Sequence, residues 1–370
     1  DQVLALKWIR KNIEYFGGNP NSVTLSGHSS GAACVHLHTL SPMSRGLFHK
    51  AHLGSGSALI PSVIKEKPLE FAKKLAALSG CPTEPTHSLK QCLKTRPASL
   101  LMSSYNQFYG YERMPFSPFA VVVEKKSENP FLSKLPYELI KEGQMADVPL
   151  IFSVVRDEGI YPAGYYCKEP GEIEPVWEDV AHYLLDYNYT LPLDKRKELA
   201  QEVKHLYLGP GIEFSKNTFF ELTKIFSDRF YLIAAEVAAK LHSVATKSPV
   251  YFFYFNYKSP NVSTSALYCE KGDIGGVGHA GDQIFYFGFN MTKYLSKSDE
   301  RIRDCFDNMY SSFTKTGVPS FDGNNDSWKP TRGYHYLTYL NISGPDDMRM
   351  AKKECLSYHP NFWRKNGLAE

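Results

Sequence analysis

A serine, a carboxylate and a histidine, met in that order along a chain, can together attack an ester or amide carbonyl. The serine here is Ser29. Val23-Thr24-Leu25-Ser26 is a short β-prone run that leads into Gly27-His28-Ser29-Ser30-Gly31, and Ala32-Ala33 opens a small-residue helix. Gly-x-Ser-x-Gly between a strand and a helix is a tight turn that lifts a nucleophilic hydroxyl out of the fold. Gly27 and Gly31 lack a Cβ and are expected to let neighbouring segments close on that turn. The first amides of the helix, Ser30 foremost, are expected to point where an oxyanion would form.

A serine of this kind needs a base, and the base needs an acid. Val148–Val155 reads as a buried parallel strand and ends at Arg156-Asp157-Glu158-Gly159. A carboxylate just past the C-terminal end of such a strand lies on the side of the sheet where sites form. Asp157 and Glu158 both qualify on position, and an ordinary acidic turn closed by Gly159 has the same pattern. Pro249–Tyr257 is a strongly aromatic strand, followed by a loop that reaches Gly275-Gly276-Val277-Gly278-His279-Ala280-Gly281-Asp282. The chain has 12 histidines, so a histidine in a glycine-rich loop means little alone. His279 fits the chain order, Ser then acid then His. It would take the Ser29 proton on one ring nitrogen and donate to the acid from the other. His36, His38, His49 and His52 lie close in sequence, yet without helical i, i+4 spacing or an accompanying acidic or cysteine set they read as packing residues. No metal and no cofactor is expected.

The surroundings of these residues resemble a known family. The stretches are Phe16-Gly17-Gly18-Asn19-Pro20, the Ser29 turn, Ser41-Pro42-Met43-Ser44-Arg45-Gly46-Leu47-Phe48, Gly54-Ser55-Gly56-Ser57-Ala58, the Asp157-Glu158-Gly159 turn, and Gly-x-x-His-x-x-Asp-x-x-x-Tyr-x-Phe around His279. Together they resemble the type-B carboxylesterases and cholinesterases, closest in look to arthropod, particularly insect, carboxylesterases. The resemblance implies an α/β-hydrolase: a mostly parallel central sheet with helices on both faces. It implies one partial domain over residues 1–370, the C-terminal two-thirds, with no separate second domain and with the N-terminal strands of the sheet absent. It places the acid at Glu158 and assigns Ser29, Glu158 and His279 to an acyl-enzyme mechanism on a small carboxylic ester. Two further oxyanion amides would belong to an N-terminal glycine loop, so the present chain offers the Ser30 amide alone. His28 stands where many relatives carry Glu, and a modest role beside Ser29 is expected. Ser55 and Ser57 are expected to hydrogen-bond near Glu158, or to be plain structural hydroxyls. Asp228 matches a supporting acidic position. Phe116 and Phe119, in Met114–Phe119, resemble the lining of the acyl pocket, with ordinary core packing as the alternative. A non-catalytic binding member of the same fold is the competing class, and an intact Ser-Glu-His set argues against it; a truncated segment that does not act alone is the third reading.

Composition narrows the rest. A 43% hydrophobic chain of 370 residues can build a sizeable core. A net charge of +3, from 42 basic and 39 acidic residues, gives no case for a nucleic-acid partner. No apolar run is long enough to span a bilayer. Asn188, Asn261, Asn290, Asn325 and Asn341 each begin an Asn-x-Ser/Thr sequon, which favours a secreted or lumenal glycoprotein. Of seven cysteines, Cys81 and Cys92 resemble a small disulfide loop of the family, an expectation that suits the same compartment. Cys34, Cys167, Cys269, Cys305 and Cys355 are left without assigned partners, and the odd total leaves at least one of them free or bonded elsewhere.

Overall fold

The computed structural model describes residues 1–112, 114, 116–125, 127–287, 294–321 and 328–369. Six strands form one sheet in the order β1 (Thr24–His28), β2 (Lys50–Gly54), β3 (Leu150–Val155), β4 (Val250–Phe255), β5 (Leu337–Gly344) and β6 (Asp347–Lys353). Pairs β1 to β5 are parallel and β5–β6 is an antiparallel hairpin. This is the mostly parallel α/β-hydrolase sheet that the motifs imply.

The alternation of side chains explains why the central strands read as unbroken apolar runs. Phe152, Val154 and Phe252 face one side, where they pack against α2 (Ser30–Leu40) through Ala32 and Val35 and against the helix Ile233–Ala245 through Ala235, Ala238 and Ala239. Ile151, Val155, Phe253 and Phe255 face the other side and meet Ile302, Phe306, Met309 and Phe313 of the helix Lys297–Thr316. Both faces are covered, so β3 is apolar at both parities apart from Ser153, which is paired with His52. Small residues on the first side let those helices lie close to the sheet. The β6 edge carries Arg349, Lys352 and Lys353 on a largely exposed strand, a charge pattern that discourages edge pairing.

A third cluster, built around Trp177, Phe226, Phe230 and Trp363, roofs the C-terminal ends of the strands. It contains a local irregularity. The helix Phe219–Ser227 passes into Ile233–Ala245 through a π-helical turn, Asp228–Leu232. Such turns re-aim side chains and recur at functional sites. At the N-terminus, Gln2–Asn12 forms the amphipathic helix α1, although Leu6 is its one buried residue and Leu4 and Trp8 are exposed. Among the described residues no helix is long and apolar enough to cross a membrane.

Candidate active site

Ser29 occupies the junction of β1 and α2 with φ 58° and ψ −121°. A residue with a Cβ adopts that region only where surrounding structure holds it. The hold is visible: Ser29 N donates to Gly54 O at 2.8 Å, tying the turn to the end of β2. At Gly27 a Cβ would lie 2.3 Å from Gly31 O, so the strand reaches the first turn of α2 only because the side chain is missing. Gly31 departs from the expectation. A Cβ there meets nothing within 4 Å, since the crowding falls on its carbonyl rather than on its Cα. Ser29 and Ser30 line a cleft of about 380 Å³ whose walls include Leu37, Ile60, Val121, Phe116, Phe230 and Tyr231. Among the described residues, no Asp, Glu, Lys or Arg lines it.

The acid and base candidates meet although 121 residues separate them. Glu158 is fully buried and His279 is 4% exposed. His279 Nδ1 stands 2.6 Å from Glu158 Oε2, while Val155 N donates to Glu158 Oε1 at 2.9 Å. Both carboxylate oxygens are therefore engaged, one with the strand end and one with the imidazole. Asp157, the other acid in the turn, has a different task. Its Oδ2 accepts from Val277 N at 2.7 Å, and its own amide donates to Val277 O at 3.0 Å. These two bonds fasten the acid turn to the histidine loop. Gly159 N donates to Ser227 Oγ at 2.9 Å, which anchors the same turn from the roof helix.

With Nδ1 directed at Glu158, His279 Nε2 remains buried without a hydrogen-bond partner. It is the ring nitrogen available to a proton from elsewhere. The His28 ring, next to Ser29 in sequence, is 4.6 Å from the His279 ring. Burial, with His279 and His52 adding to it, holds the His28 pKa down at about 3, so this second imidazole is neutral and adds no positive charge beside the base. Tyr161 stacks on His279 at 5.4 Å and 17°, and Tyr231 packs on it at 4.8 Å and 46°.

Several expected supports lie elsewhere. Ser55 is buried at φ 51°, and its Oγ has no hydrogen-bond partner. Its amide donates to Ser153 O, so it continues the β2–β3 ladder instead of touching Glu158. Ser57 faces His36. Asp228 accepts from Tyr207 OH and from the amides of Tyr358 and His359, which makes it the anchor of the C-terminal segment. Its neighbour Ser227 is the residue that reaches the acid turn. Burial lifts the Asp228 pKa to about 6. Phe116 lines the cleft, stacked on Tyr161 and edge-on to Phe230. Phe119 does not: its ring joins Phe108, Tyr105 and Phe71 in a separate aromatic group, and it is 38% exposed. Three residues after Phe116 and one past Pro118, the Phe119 side chain points away from the cleft.

The clustered histidines disperse among separate partners. His36 Nε2 bonds His242 Nε2 at 2.9 Å, His38 bonds Ser44 and Gln2, His49 Nδ1 accepts from Val23 N, and His52 meets Ser26, Ser153 and Tyr310. Among the described residues, no three metal-binding side chains converge. Cys81–Cys92 is a disulfide. Cys167 and Cys269, which the sequence left unassigned, form a second one across 102 residues. Cys34, Cys305 and Cys355 take part in neither disulfide. Asn261 is exposed, while the Asn188 carboxamide accepts from Arg196 and Asn341 sits in β5 bonded to Ser343. Asn290 and Asn325 lie outside the described residues.

Comparison with known proteins agrees with this geometry. The model of the carboxylesterase family matches residues 1–363. Venom carboxylesterase-6 of Apis mellifera is 36% identical over 98% of this chain and 65% of its own length. A carboxylic ester hydrolase of Bombus ignitus is 33% identical over 98% of the chain and 65% of its own length. Esterase FE4 of Myzus persicae is 37% identical over 89% of the chain and 58% of its own length. The chain thus spans less than two thirds of the length of these curated relatives.

Proposed function

This chain belongs to the carboxylesterase family, and we propose that its full-length protein is a serine carboxylic-ester hydrolase. The observation that carries the reading is the 2.6 Å contact of His279 Nδ1 with buried Glu158, made beside the strained Ser29 turn. Glu158 fixes the His279 tautomer with the proton on Nδ1 and leaves Nε2 as the base. Ser29 Oγ attacks the ester carbonyl carbon and passes its proton to Nε2. The oxyanion accepts a hydrogen bond from Ser30 N at the start of α2. Collapse of the tetrahedral intermediate expels the alcohol, which leaves with the proton held by His279. Water then gives a proton to Nε2 as it attacks the acyl-Ser29 carbonyl, and collapse of this second intermediate returns that proton from His279 to Ser29 Oγ and releases the acid.

The uncharged walls of the cleft favour a neutral acyl group, with Phe116 against it. The names of the relatives, one of them a venom carboxylesterase, support export from the cell, as do two disulfides. Among the described sequons, Asn261, exposed in its loop, is the most open site for a glycan. The direct test is hydrolysis of short aryl esters by the full-length protein and by its Ser29→Ala variant. The reading predicts turnover that falls at least about 1,000-fold in the variant. Equal rates for the two proteins would refute it.

A further inference from the structure

We propose that the Cys167–Cys269 disulfide is a positioning strut for the base: through Tyr268 and Tyr161 it holds the His279 imidazole in register with Glu158. The inference rests on the esterase reading above and adds residues that neither the motifs nor that mechanism employs.

Three contacts make the strut. Cys167 ends the short helical stretch, Ile160–Ala163 and Gly164–Tyr166, that begins directly after the Glu158 turn. Cys269 belongs to the loop that leads to His279. Their sulfurs bridge these two segments, and both residues are buried, at 8% and 2% exposure. The residue next to Cys269 is Tyr268, whose OH donates to the backbone carbonyl of His279 itself at 2.8 Å. The segments also approach at Gly164, where a Cβ would lie 2.4 Å from Tyr268 O. Tyr161, on the first turn after Glu158, packs its ring 5.2 Å from Tyr268 and 5.4 Å from His279, nearly parallel to the imidazole. The disulfide therefore closes a ring of contacts running Glu158, Tyr161, His279, Tyr268, Cys269, Cys167 and back to the helix after Glu158.

The chemical consequence follows from what moves if the ring opens. Ala280 lies at φ 63°, so the loop beyond His279 is held in a conformation that an unrestrained chain leaves readily. Asp157 pins the loop on one side of His279 through Val277. On the Tyr268 side, the His279 carbonyl is held by a side chain whose own backbone is fixed by the disulfide. Loss of the bridge allows Tyr268 and then Tyr161 to withdraw. The imidazole loses a stacked π face, which favours its protonated form, and gains freedom to rotate off Glu158. Both changes act on proton transfer in the transition state more than on substrate binding, because the cleft walls Leu37, Ile60 and Val121 belong to other segments and stay in place.

The experiment compares the full-length protein with three variants: Cys167→Ala/Cys269→Ala, Tyr268→Phe, and Cys81→Ala/Cys92→Ala as the peripheral control. The control bridge packs with Ala76 and Leu89 in a small cluster of its own. With an aryl ester, the Cys167/Cys269 pair variant is expected to lose about tenfold or more in kcat with KM within about twofold, the pattern of a lost transition-state interaction. Its kcat/KM–pH profile should change as well, because the imidazole is no longer fixed against Glu158. Tyr268→Phe keeps the disulfide and the ring and removes only the bond to His279 O. It is expected to lower kcat in the same direction by about threefold. The control should lower the melting temperature and leave both kinetic readouts unchanged. A pair variant that is less stable but keeps kcat and pH profile overturns the proposal. If that variant does not fold, an unaltered kcat and pH profile in Tyr268→Phe overturns it. A wild-type protein inert toward esters would instead overturn the esterase reading, and the strut with it.

Discussion

Acid should destabilise this protein through a histidine pair that the chemistry does not use. His36, on α2, is wholly buried, and His242, on the helix Ile233–Ala245, is equally so. Their tautomers follow from the hydrogen bonds. Ala58 N donates to His36 Nδ1 at 3.0 Å, so that nitrogen is an acceptor and the proton of neutral His36 sits on Nε2. That proton is donated to His242 Nε2 at 2.9 Å. Protonating His242 would set two N–H groups against each other in a site without water access. Burial accordingly lowers its pKa from 6.5 to about 4, and it lowers that of His36 well below 6.5, with His242 adding to the effect. The sign is fixed by linkage. Between 6.5 and about 4 the unfolded chain binds a proton that the folded one refuses, so stability is fully present above 6.5 and is lost as pH falls through that window. For His242 alone, the loss between pH 7.5 and about pH 4.5 is about 2.5 kcal/mol. Buried Asp228, Glu236 and Asp282, lifted by burial to about 6, 7 and 6, act in the opposite direction, so the raw pH profile is a sum. His242→Gln isolates the pair, because its carboxamide oxygen can accept from His36 Nε2–H and does not titrate. Urea midpoints converted to free energies should show wild type losing about 2.5 kcal/mol more than the variant over that range. Parallel curves would refute the tautomer argument.

Further outcomes follow from the same contacts. Glu158→Gln keeps the shape of the acid but removes its charge from His279, and kcat should fall about 10,000-fold with little change in melting temperature. Gly27→Ala drives a methyl group into Gly31 O and should cost about 2 kcal/mol or more of stability, seen as a lower urea midpoint; Gly31→Ala should be mild by comparison. Phe116→Ala should alter the acyl-chain preference in kcat/KM across a series of aryl esters, whereas Phe119→Ala should leave it unchanged.

Strand β4 is legible in the sequence as an aromatic run, and β1 and β3, with the turns that follow them, because each is local. A β-branched or aromatic run, a glycine turn and a catalytic residue type fall within a dozen positions. Hairpin β5–β6 was not singled out: its strands carry Asn341, Arg349 and Lys352, and a half-exposed edge leaves a weak apolar pattern. The Cys167–Cys269 bridge was invisible for a different reason. Its partners are 102 residues apart and are joined only by the docking of the acid turn against the histidine loop. The same docking recruits Tyr161 and Tyr268, ordinary tyrosines in sequence. Ser55 and Asp228 were assigned to the site by proximity in motif, yet the β2–β3 ladder claims one and the C-terminal segment the other. Ser227, one residue from Asp228, makes the contact instead, since successive positions on a helix face different partners.

Ser29 is proposed as the nucleophile and His279, held by Glu158, as its base. Irreversible labelling by an organophosphate tests this assignment most directly. Full-length protein is inactivated, digested and mapped by mass, beside a His279→Ala variant. The account predicts one phosphoryl group on the peptide bearing Ser29, formed in step with loss of esterase activity, and labelling at least about 100-fold slower in the variant. A label on another serine, or an active preparation that takes up none, would contradict it.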